Sequence, residues 1–349
     1  MPDRYDIIVV GAGPSGSLFS LLAARSGFRV LLLDKNFFPR PKVCGCWLDR
    51  RCWPVWRACG LEASMRSLPH QTIAGLELAA DHHPARRFPF DEPLPEHRAI
   101  DRLILDDWLR QQAIAAGVVC LTQTTIRSFE NRSELVTSEG TFQGGFFVGA
   151  DGRNSWMARA AGLHSGRRLG SLIAWHSTLP AHHASDYLRL HFFTGGYLSL
   201  LRVSPQTAAL SMVLRADTFD VPQTLADRCL GDLPPLGWKS TMPVNRAPHT
   251  AGSANVALIG DAARVRPPFA SSGLYDALSH AWQLFQLLPP HPVSTARWKD
   301  MGPLWNRVLS AQDSLIKSAR LSFASHLMTA SRIQWLCDHP TIARRLIPR

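Results

Sequence analysis

The sequence has 349 residues, 46% hydrophobic and 19% charged, a balance that supplies a sizeable buried core and excludes wholesale disorder. This length corresponds to about two domains, or to one large interleaved body. The formal net charge is +11, but no run of five or more basic residues and no recognisable nucleic-acid-reading module occurs, so we expect no nucleic-acid partner.

The cysteine count and the N-terminal apolar stretch bear on where the protein resides. Seven cysteines, an odd number, argue against a disulfide scaffold and favour a reducing compartment. Residues Ile7–Ala24 are uncharged, but glycines and a proline interrupt them and no clearly positive segment precedes them. We therefore predict no transmembrane segment and a cytoplasmic protein.

The first fifty residues carry the most specific pattern. Tyr5–Val10 is a β-branched apolar run, typical of a strand buried on both faces. The glycine-rich stretch Gly11–Gly16 and a helical stretch, Ser17–Ser26, follow it. A second apolar run, Phe28–Leu33, then ends at Asp34. Strand, glycine turn, helix, strand and acid in this order predict a dinucleotide-binding βαβ unit.

Individual residues of this unit have physical roles in binding a dinucleotide. Gly11 permits the tight turn, Gly13 lets the backbone approach a pyrophosphate, and Gly16 lets the helix pack close to the strand. The N-terminus of the helix offers unpaired N–H groups to the phosphates. Asp34 follows the second strand, where a carboxylate accepts hydrogen bonds from ribose hydroxyls and repels a 2′-phosphate.

Three further segments follow in the chain. An amphipathic helix is predicted to open at Ile100 and to run to about Ala116. One apolar strand ends in an Asp-Gly turn at Asp151, and another ends in a Gly-Asp pair at Asp261. The residues after that pair lead into a predicted helix over Leu274–Leu288.

With the glycine fingerprint, these segments resemble the FAD-dependent aromatic hydroxylase superfamily, which has the fold of para-hydroxybenzoate hydroxylase. This superfamily also includes geranylgeranyl reductases, flavin-dependent halogenases and lycopene cyclases. The resemblance covers roughly half of the chain. It implies an α/β fold in which a Rossmann-like FAD-binding domain is interleaved with a mostly antiparallel β-sheet substrate domain, followed by C-terminal helices.

On this basis we predict that residues 1–70, 96–165 and 250–290 form the FAD-binding domain. Residues 71–95 and 166–249 are then the substrate domain, in which runs such as Leu188–Phe193, Tyr197–Val203 and Ala208–Leu214 alternate as antiparallel strands do. Residues 291–349 are predicted to be helical and to cover one side of the substrate pocket.

The resemblance assigns a set of residues to FAD. Arg102 is expected near the pyrophosphate or ribityl chain, Asp151 at the pyrophosphate region, and Asp261 on a ribityl hydroxyl. The loop from Pro268 to Gly273 is expected against the isoalloxazine ring, where its N–H groups stabilise negative charge on the reduced flavin. The predicted cofactor-binding residues are Gly11, Gly13, Pro14, Ser15, Gly16, Asp34, Lys35, Arg40, Cys44, Arg102, Asp151, Asp261 and Gly273.

The stretch Phe38–Cys46 resembles the PR-x-K-x-CGG segment of the reductases and related hydroxylases. Cys46 stands where a second glycine is usual. Three interpretations of Cys44 and Cys46 remain open: small residues tolerated in a tight loop beside the flavin, a redox or covalent role, or a metal cluster with Cys52 and Cys59. The spacing C-x-C-x5-C-x6-C is not a strong zinc pattern, so we predict no metal.

The pair Trp175-His176 lies on a predicted apolar strand of the substrate domain. It is either a core tryptophan with a hydrogen-bonded histidine, or a pocket wall with a proton-transfer group. His176 and Cys46 are therefore the candidate catalytic residues.

The predicted function is an FAD-dependent monooxygenase that hydroxylates an electron-rich aromatic or related substrate. The resemblance implies a mechanism in which reduced flavin adds oxygen at C4a and the resulting hydroperoxide transfers its distal oxygen. An alternative is an FAD-dependent prenyl or polyene reductase, and a non-enzyme alternative is a flavin-free binding protein of the GDP-dissociation-inhibitor type. Halogenation is disfavoured because no WxWxIP segment with its catalytic lysine occurs.

Two further expectations concern partners. The sequence holds no second glycine-rich βαβ unit, so electrons are expected from transiently bound NAD(P)H or from a separate flavin reductase. The basic charge has two interpretations: a scattered basic surface, or attraction to an acidic partner, with the substrate carried by a carrier protein or forming part of another protein.

Overall fold

The computed structural model describes residues 3–81, 83–90, 97–163, 172–215, 221–241, 250–265 and 272–317. The strands in these ranges are β1 (Asp3–Val10), β2 (Val30–Leu33), β3 (Trp47–Leu48), β4 (Gln71–Thr72), β5 (Gly75–Ala80), β6 (His83–Pro89), β7 (Arg98–Ala99), β8 (Val119–Leu121), β9 (Ile126–Glu130), β10 (Glu134–Thr137), β11 (Gly140–Gly149), β12 (Leu172–Pro180), β13 (Tyr187–Phe193), β14 (Gly196–Arg202), β15 (Thr207–Arg215), β16 (Lys239–Ser240), β17 (Gly252–Ser253) and β18 (Val256–Leu258). The helices are α1 (Pro14–Arg25), α2 (Cys52–Ala58), α3 (Glu62–Arg66), α4 (Arg102–Ala115), α5 (Trp156–Ala160), α6 (Pro222–Leu230), α7 (Gly273–Gln286) and α8 (Thr295–Lys317).

The first sheet has a parallel centre in the order β18-β11-β1-β2-β8, with β17 antiparallel at one edge and the β9–β10 hairpin attached to β11. Ile7, Ile8 and Val9 of β1 are fully buried, because the strand is covered on both faces. The helices α1, α4 and α7 pack together over this sheet. The βαβ unit predicted from the glycine pattern is confirmed as β1, α1 and β2.

The second sheet runs β16-β12-β15-β14-β13-β5-β6. All of its neighbours are antiparallel except β13 and β5, which are parallel. One face carries the cluster around Leu188, Tyr197 and Val213, and the other carries the cluster around Leu198, Leu210 and Met212. The α/β fold with a mostly antiparallel second sheet is therefore confirmed, whereas the domain boundaries remain a prediction. A small third sheet is formed by β3, β7 and β4.

The C-terminal helices are described only as far as Lys317, so their predicted place over the substrate pocket stays a prediction. Helix α8 packs on the first sheet: the indole of Trp298 stacks on Phe146 with 5.4 Å between ring centroids, and Trp305 Nε1 donates to the carbonyl of Leu258 at 2.7 Å. No described residue of α8 lines the cavity between the two large sheets. The apolar face of α8 is therefore buried against the first sheet. Residues 318–349 lie outside the described ranges. Among the described helices, none is both long and apolar enough to cross a bilayer.

Candidate cofactor and active site

A cavity of about 840 Å³ lies between the two large sheets. At one end it is bounded by the turn after β1 and by the carboxyl ends of β2 and β11, and at the other by the face of the second sheet. Ligands of open α/β folds bind outside the carboxyl ends of the parallel strands, which is where this cavity opens.

Two glycines of the turn after β1 are required by close approach of the backbone. Gly11 has φ +106°, and a Cβ there would overlap the carbonyl of Ala150 at the end of β11. A Cβ on Gly16 would overlap the carbonyl oxygen of Gly11. Gly16 consequently lies beneath the turn and is not among the residues that line the cavity. It shapes the site from behind.

Gly13 differs from these two because it faces the open cavity. The nearest atom to a Cβ built on Gly13 is Arg40 Nη2, at 3.6 Å. Its backbone is extended, with φ −75° and ψ −177°, and it caps α1, whose first residue is Pro14. The turn thus presents a bare backbone and a helix N-terminus to whatever fills this end of the cavity.

Asp34 is buried at the end of β2 and fixed by hydrogen bonds from both sides. Its Oδ2 accepts from the Ala12 amide at 2.9 Å, and its Oδ1 accepts from the amide and the side chain of Asn36, each at 2.9 Å. The carboxylate therefore ties the glycine turn to the second strand. Asn36 was not predicted from the sequence, although an Asp side chain commonly accepts a hydrogen bond from the amide two residues later.

Two buried polar atoms on the cavity lining have no hydrogen-bond partner among the described residues: Arg40 Nε and Asp151 Oδ1. The guanidinium of Arg40 lies 3.8 Å from Asp34 and 3.8 Å from Asp106. The other oxygen of Asp151 accepts from the amide of Trp156 at 2.6 Å, at the start of α5. Burial raises the pKa of Asp151. Buried polar groups in proteins nearly always have a hydrogen-bond partner, so these two atoms are placed to bind a polar ligand.

Arg102 and Asp106, one turn apart on α4, form a buried bidentate ion pair. Arg102 Nε donates to Asp106 Oδ1 at 2.7 Å and Nη2 donates to Oδ2 at 2.9 Å. Arg102 is 8% exposed and Asp106 is fully buried. The positive charge of the guanidinium also acts on the Cys44 thiol and lowers its pKa, and the side chain of Arg102 lines the cavity.

The charge on the described part of the cavity lining is positive. Seven cationic residues face four aspartates there, so an anionic ligand is favoured. Burial lowers the pKa of one of the cations, Lys42, and Asp261 opposes this effect. The cations are Lys35, Arg40, Lys42, Arg102, Arg153, Arg159 and Arg264, and the aspartates are Asp34, Asp151, Asp261 and Asp276.

Of the two candidate catalytic residues, Cys46 lines the cavity and His176 does not. His176 lies behind the lining and contacts it through Ser211. Its Nδ1 is 3.0 Å from Ser211 Oγ, and that hydroxyl donates to the carbonyl of Cys44 at 3.0 Å. Burial lowers the pKa of His176, which favours the neutral imidazole. Its neighbour Trp175 does reach the cavity lining. A proton-transfer role for His176 remains a prediction.

The structure brings nearly all of the predicted cofactor-binding residues to one cavity. Those that line it are Gly11, Gly13, Pro14, Ser15, Asp34, Lys35, Arg40, Cys44, Arg102, Asp151, Asp261 and Gly273. Residues 268–271 of the loop predicted to lie against the flavin ring fall outside the described ranges. In the part of the chain that is described, the one group of three metal-type ligands is Asp81, His191 and Cys229, in which Arg228 already lies 3.4 Å from Asp81.

The family model of an FAD binding domain matches residues 4–191, more than half of the chain. The chain belongs to this FAD-binding family. This confirms the prediction of an FAD-dependent oxidoreductase and identifies FAD as the cofactor. The cavity fits FAD. Arg40 Nε and Asp151 Oδ1 are available to polar groups of the cofactor, and the glycine turn beside them has no side chain in the way.

Known relatives agree in fold and differ in activity. Geranylgeranyl diphosphate reductase of Rhodobacter capsulatus is 27% identical over 297 residues, covering 78% of this chain and 72% of that protein. The crystal structure of PqsL, "a probable FAD-dependent monooxygenase" from Pseudomonas aeruginosa, has a TM-score of 0.75 at 18% identity, over 96% of this chain and all of that one. The myxobacterial halogenase CndH has a TM-score of 0.69 at 21% identity, over 85% of this chain and 78% of that one.

Some matches to curated relatives are confined to part of those proteins. The chain spans 8% of the length of conditioned medium factor receptor 1 of Dictyostelium discoideum and 39% of an uncharacterized protein of Methanosarcina barkeri. The activity of the whole chain is therefore a proposal.

Proposed function

We propose that this protein is an FAD-dependent monooxygenase that hydroxylates a small electron-rich aromatic or related substrate. The observation that carries the proposal is the continuity of the cavity, which joins the dinucleotide turn to an apolar wall on the second sheet. The described part of that wall is formed by Ala174, Leu188, Leu190, Tyr197 and Val213.

The polar end of the cavity is proposed to hold the ADP part of FAD. Gly13 and the N-terminus of α1 would face the pyrophosphate, Arg40 would neutralise it, and Asp34 would accept from the ribose. Asp151 and Asp261 would accept hydrogen bonds further along the cofactor. When bound and reduced, FAD supplies the oxygen-activating chemistry.

The apolar end is proposed to hold the substrate. Leu188, Leu190 and Val213 would exclude water and bury an aromatic ring, while the Ser199 hydroxyl would orient a polar substituent. Burial raises the pKa of Tyr197, so its phenol stays protonated on this wall. In this scheme the chain acts by positioning and by keeping the site dry, and no side chain is required as an obligatory acid or base.

The electron donor is proposed to be NAD(P)H bound transiently, or a separate flavin reductase, because the 349 residues hold a single glycine-rich βαβ unit. A substrate tethered to an acidic carrier or protein is a variant of the same proposal, supported by the net charge of +11. In that variant, turnover of the tethered substrate falls as ionic strength rises, whereas turnover of a free neutral substrate does not.

The relatives named geranylgeranyl reductases favour a second candidate, an FAD-dependent reductase of a prenyl chain. The apolar wall would accept such a chain as well as an aromatic ring. The two candidates differ in their need for oxygen, and this difference allows a decisive experiment.

We expect the purified protein to be yellow and to consume oxygen with an aromatic substrate. Bound FAD and oxygen uptake are measured with NADH, with NADPH and with a separate flavin reductase, against a panel of aromatics. The expected product carries one added oxygen atom, and peroxide released without substrate is the background. Anaerobic turnover of a geranylgeranyl substrate without oxygen uptake on any aromatic would instead establish the reductase. A colourless protein that added FAD does not restore would establish a flavin-free binding protein.

Replacement of Asp34 tests the proposed ribose contact. Asp34→Asn places an amide where the carboxylate accepts from Ala12 and Asn36, and removes the charge offered to the ribose. Since hydrogen bonds to charged groups contribute about 1.5–3 kcal/mol, we expect FAD to bind about 10- to 100-fold more weakly. Titration of apoprotein with FAD measures the Kd. Asp107→Asn is the control, because Asp107 pairs with Arg110 on α4 and does not line the cavity. An unchanged Kd in Asp34→Asn refutes the contact.

A further inference from the structure

Cys44 and Cys46 lie side by side on the cavity wall, held in a fixed local geometry. The Cys46 amide donates to Cys44 Sγ at 3.3 Å, and the Cys46 thiol lies 3.6 Å from the Cys44 carbonyl. That carbonyl also accepts from Ser211 Oγ, and the Cys46 carbonyl accepts from the Ile100 amide at 3.0 Å. Both cysteines are therefore anchored by their backbones, and a single glycine separates them in the chain.

The backbone conformation of Cys46 is unusual for a residue with a side chain. Its φ of +58° is in the left-handed region, which glycine adopts at little cost and residues with a Cβ adopt rarely. A glycine would fit this backbone better than the cysteine that occupies it. Such unfavourable conformations concentrate at functional sites.

The two thiols have different electrostatic environments. The hydrogen-bonding interaction with Cys46, together with the positive charge of Arg102, holds the pKa of Cys44 well below its usual range. The same hydrogen bond, together with burial, raises the pKa of Cys46. Cys44 is also partly exposed, whereas Cys46 is buried. These environments suit Cys44 to attack as a thiolate and keep Cys46 as a protonated thiol.

We propose that Cys44 and Cys46 form a reversible disulfide in the wall of the cavity, with Cys44 as the attacking and Cys46 as the resolving sulfur. The reaction partner is a low-molecular-weight disulfide such as glutathione disulfide. This inference does not depend on the monooxygenase proposal, because it concerns only thiols of the chain itself.

The reaction balances in two exchange steps. The Cys44 thiolate attacks one sulfur of the small disulfide, the S–S bond breaks, one thiolate leaves and a mixed disulfide remains. The Cys46 thiol then attacks the Cys44 sulfur and gives up its proton, which the departing second thiolate carries away as a thiol. Two protein sulfurs are oxidised and one small disulfide is reduced to two thiols.

The product changes the cavity wall and should be easy to reduce. Oxidation replaces the Cys44 thiolate beside Arg102 with a neutral sulfur, which leaves the wall more positive. A disulfide across a single intervening residue is strained, and strained disulfides are the labile, regulatory ones. The pair is therefore a redox-sensitive element within the site that we assign to FAD.

The sequence allows this pair to be measured in isolation. Trypsin cleavage after Lys42 and Arg50 releases the peptide Val43–Arg50, which contains these two cysteines and no other. Protein as purified is incubated with glutathione disulfide, free thiols are alkylated in denaturant, and the peptide is weighed by mass spectrometry. We expect it to lack both alkyl groups and to weigh two hydrogens less than the dithiol, and dithiothreitol to restore double alkylation.

Two variants separate the roles of the sulfurs. In Cys46→Gly, which suits the left-handed backbone, the resolving thiol is missing, so we expect a glutathione adduct to accumulate on Cys44. In Cys44→Ser, Cys46 should remain free and open to alkylation. Cys120→Ser is the control, because it removes another partly exposed thiol and should leave disulfide formation in the peptide unchanged.

Three results would overturn the proposal. One is a wild-type peptide that keeps both alkyl groups after oxidation, and another is a persistent glutathione adduct in place of the disulfide. The third is an adduct on Cys46 in Cys44→Ser together with none on Cys44 in Cys46→Gly, which would reverse the assigned roles. None of these readouts requires bound FAD or substrate.

Discussion

Gly13→Val is expected to abolish FAD retention while leaving the fold intact. The backbone at Gly13 has φ −75°, which valine adopts readily, and the nearest atom to an added Cβ is Arg40 Nη2 at 3.6 Å. The new methyl groups would therefore project into the cavity where the pyrophosphate is proposed to lie. We expect a loss of affinity of at least about 100-fold, or roughly 3 kcal/mol. Bound flavin per chain, from absorbance of the purified protein, measures the loss.

Two other glycines provide the comparison that makes the result specific. Gly237→Val should retain flavin, because nothing lies within 4 Å of an added Cβ and the residue does not line the cavity. Gly16→Ala should instead unfold at lower temperature, because its Cβ would overlap the Gly11 carbonyl. The apoprotein of Gly13→Val should unfold at the same temperature as wild-type apoprotein. Stoichiometric flavin in Gly13→Val would show that the cofactor does not pass over this turn.

The nucleotide end of the site was predictable from the sequence because its constraints are local. A buried β-branched strand, a glycine turn, a helix and an acid lie within one stretch, and each has its own backbone requirement. The predicted helix at Ser17 begins earlier, at Pro14, because proline suits the first helical position and Gly13 serves as the cap. The predicted second strand begins at Val30, two residues late, as strand ends often do.

The remaining features of the site depend on contacts between segments far apart in sequence. Ser211 binds the carbonyl of Cys44, 167 residues away, and no local pattern signals that contact. The apolar pattern of α8 predicts a buried face but not its partner, and the face packs against Phe146 on the first sheet. The glycine usual at position 46 indicated a left-handed backbone there, whereas no sequence pattern indicated the contact between Cys46 and Cys44.

Loss of the buried pair on α4 is expected to have the largest effect on stability. Arg102→Met leaves Asp106, which is fully buried, with Arg40 at 3.8 Å as its one ion-pair partner among the described residues. Breaking a buried ion pair by removing one partner typically costs about 3–5 kcal/mol, because an uncompensated charge remains in the interior. We expect a decrease of this size in the free energy of unfolding, measured by urea denaturation of the apoprotein.

The double variant Arg102→Met/Asp106→Leu separates the cost of the stranded charge from the loss of packing. With both charges gone, most of the lost stability should return, since buried pairs and apolar replacements of similar volume are often equivalent. Arg57→Met is the control: Arg57 is 64% exposed beside Glu62, and solvent screens that pair, so the unfolding midpoint should hardly move. If Arg102→Met proves as mild as Arg57→Met, Asp106 is not buried against Arg102. The Arg102 guanidinium would then not be held in place on the cavity wall. The low pKa of Cys44, which partly depends on that guanidinium, would be lost as well.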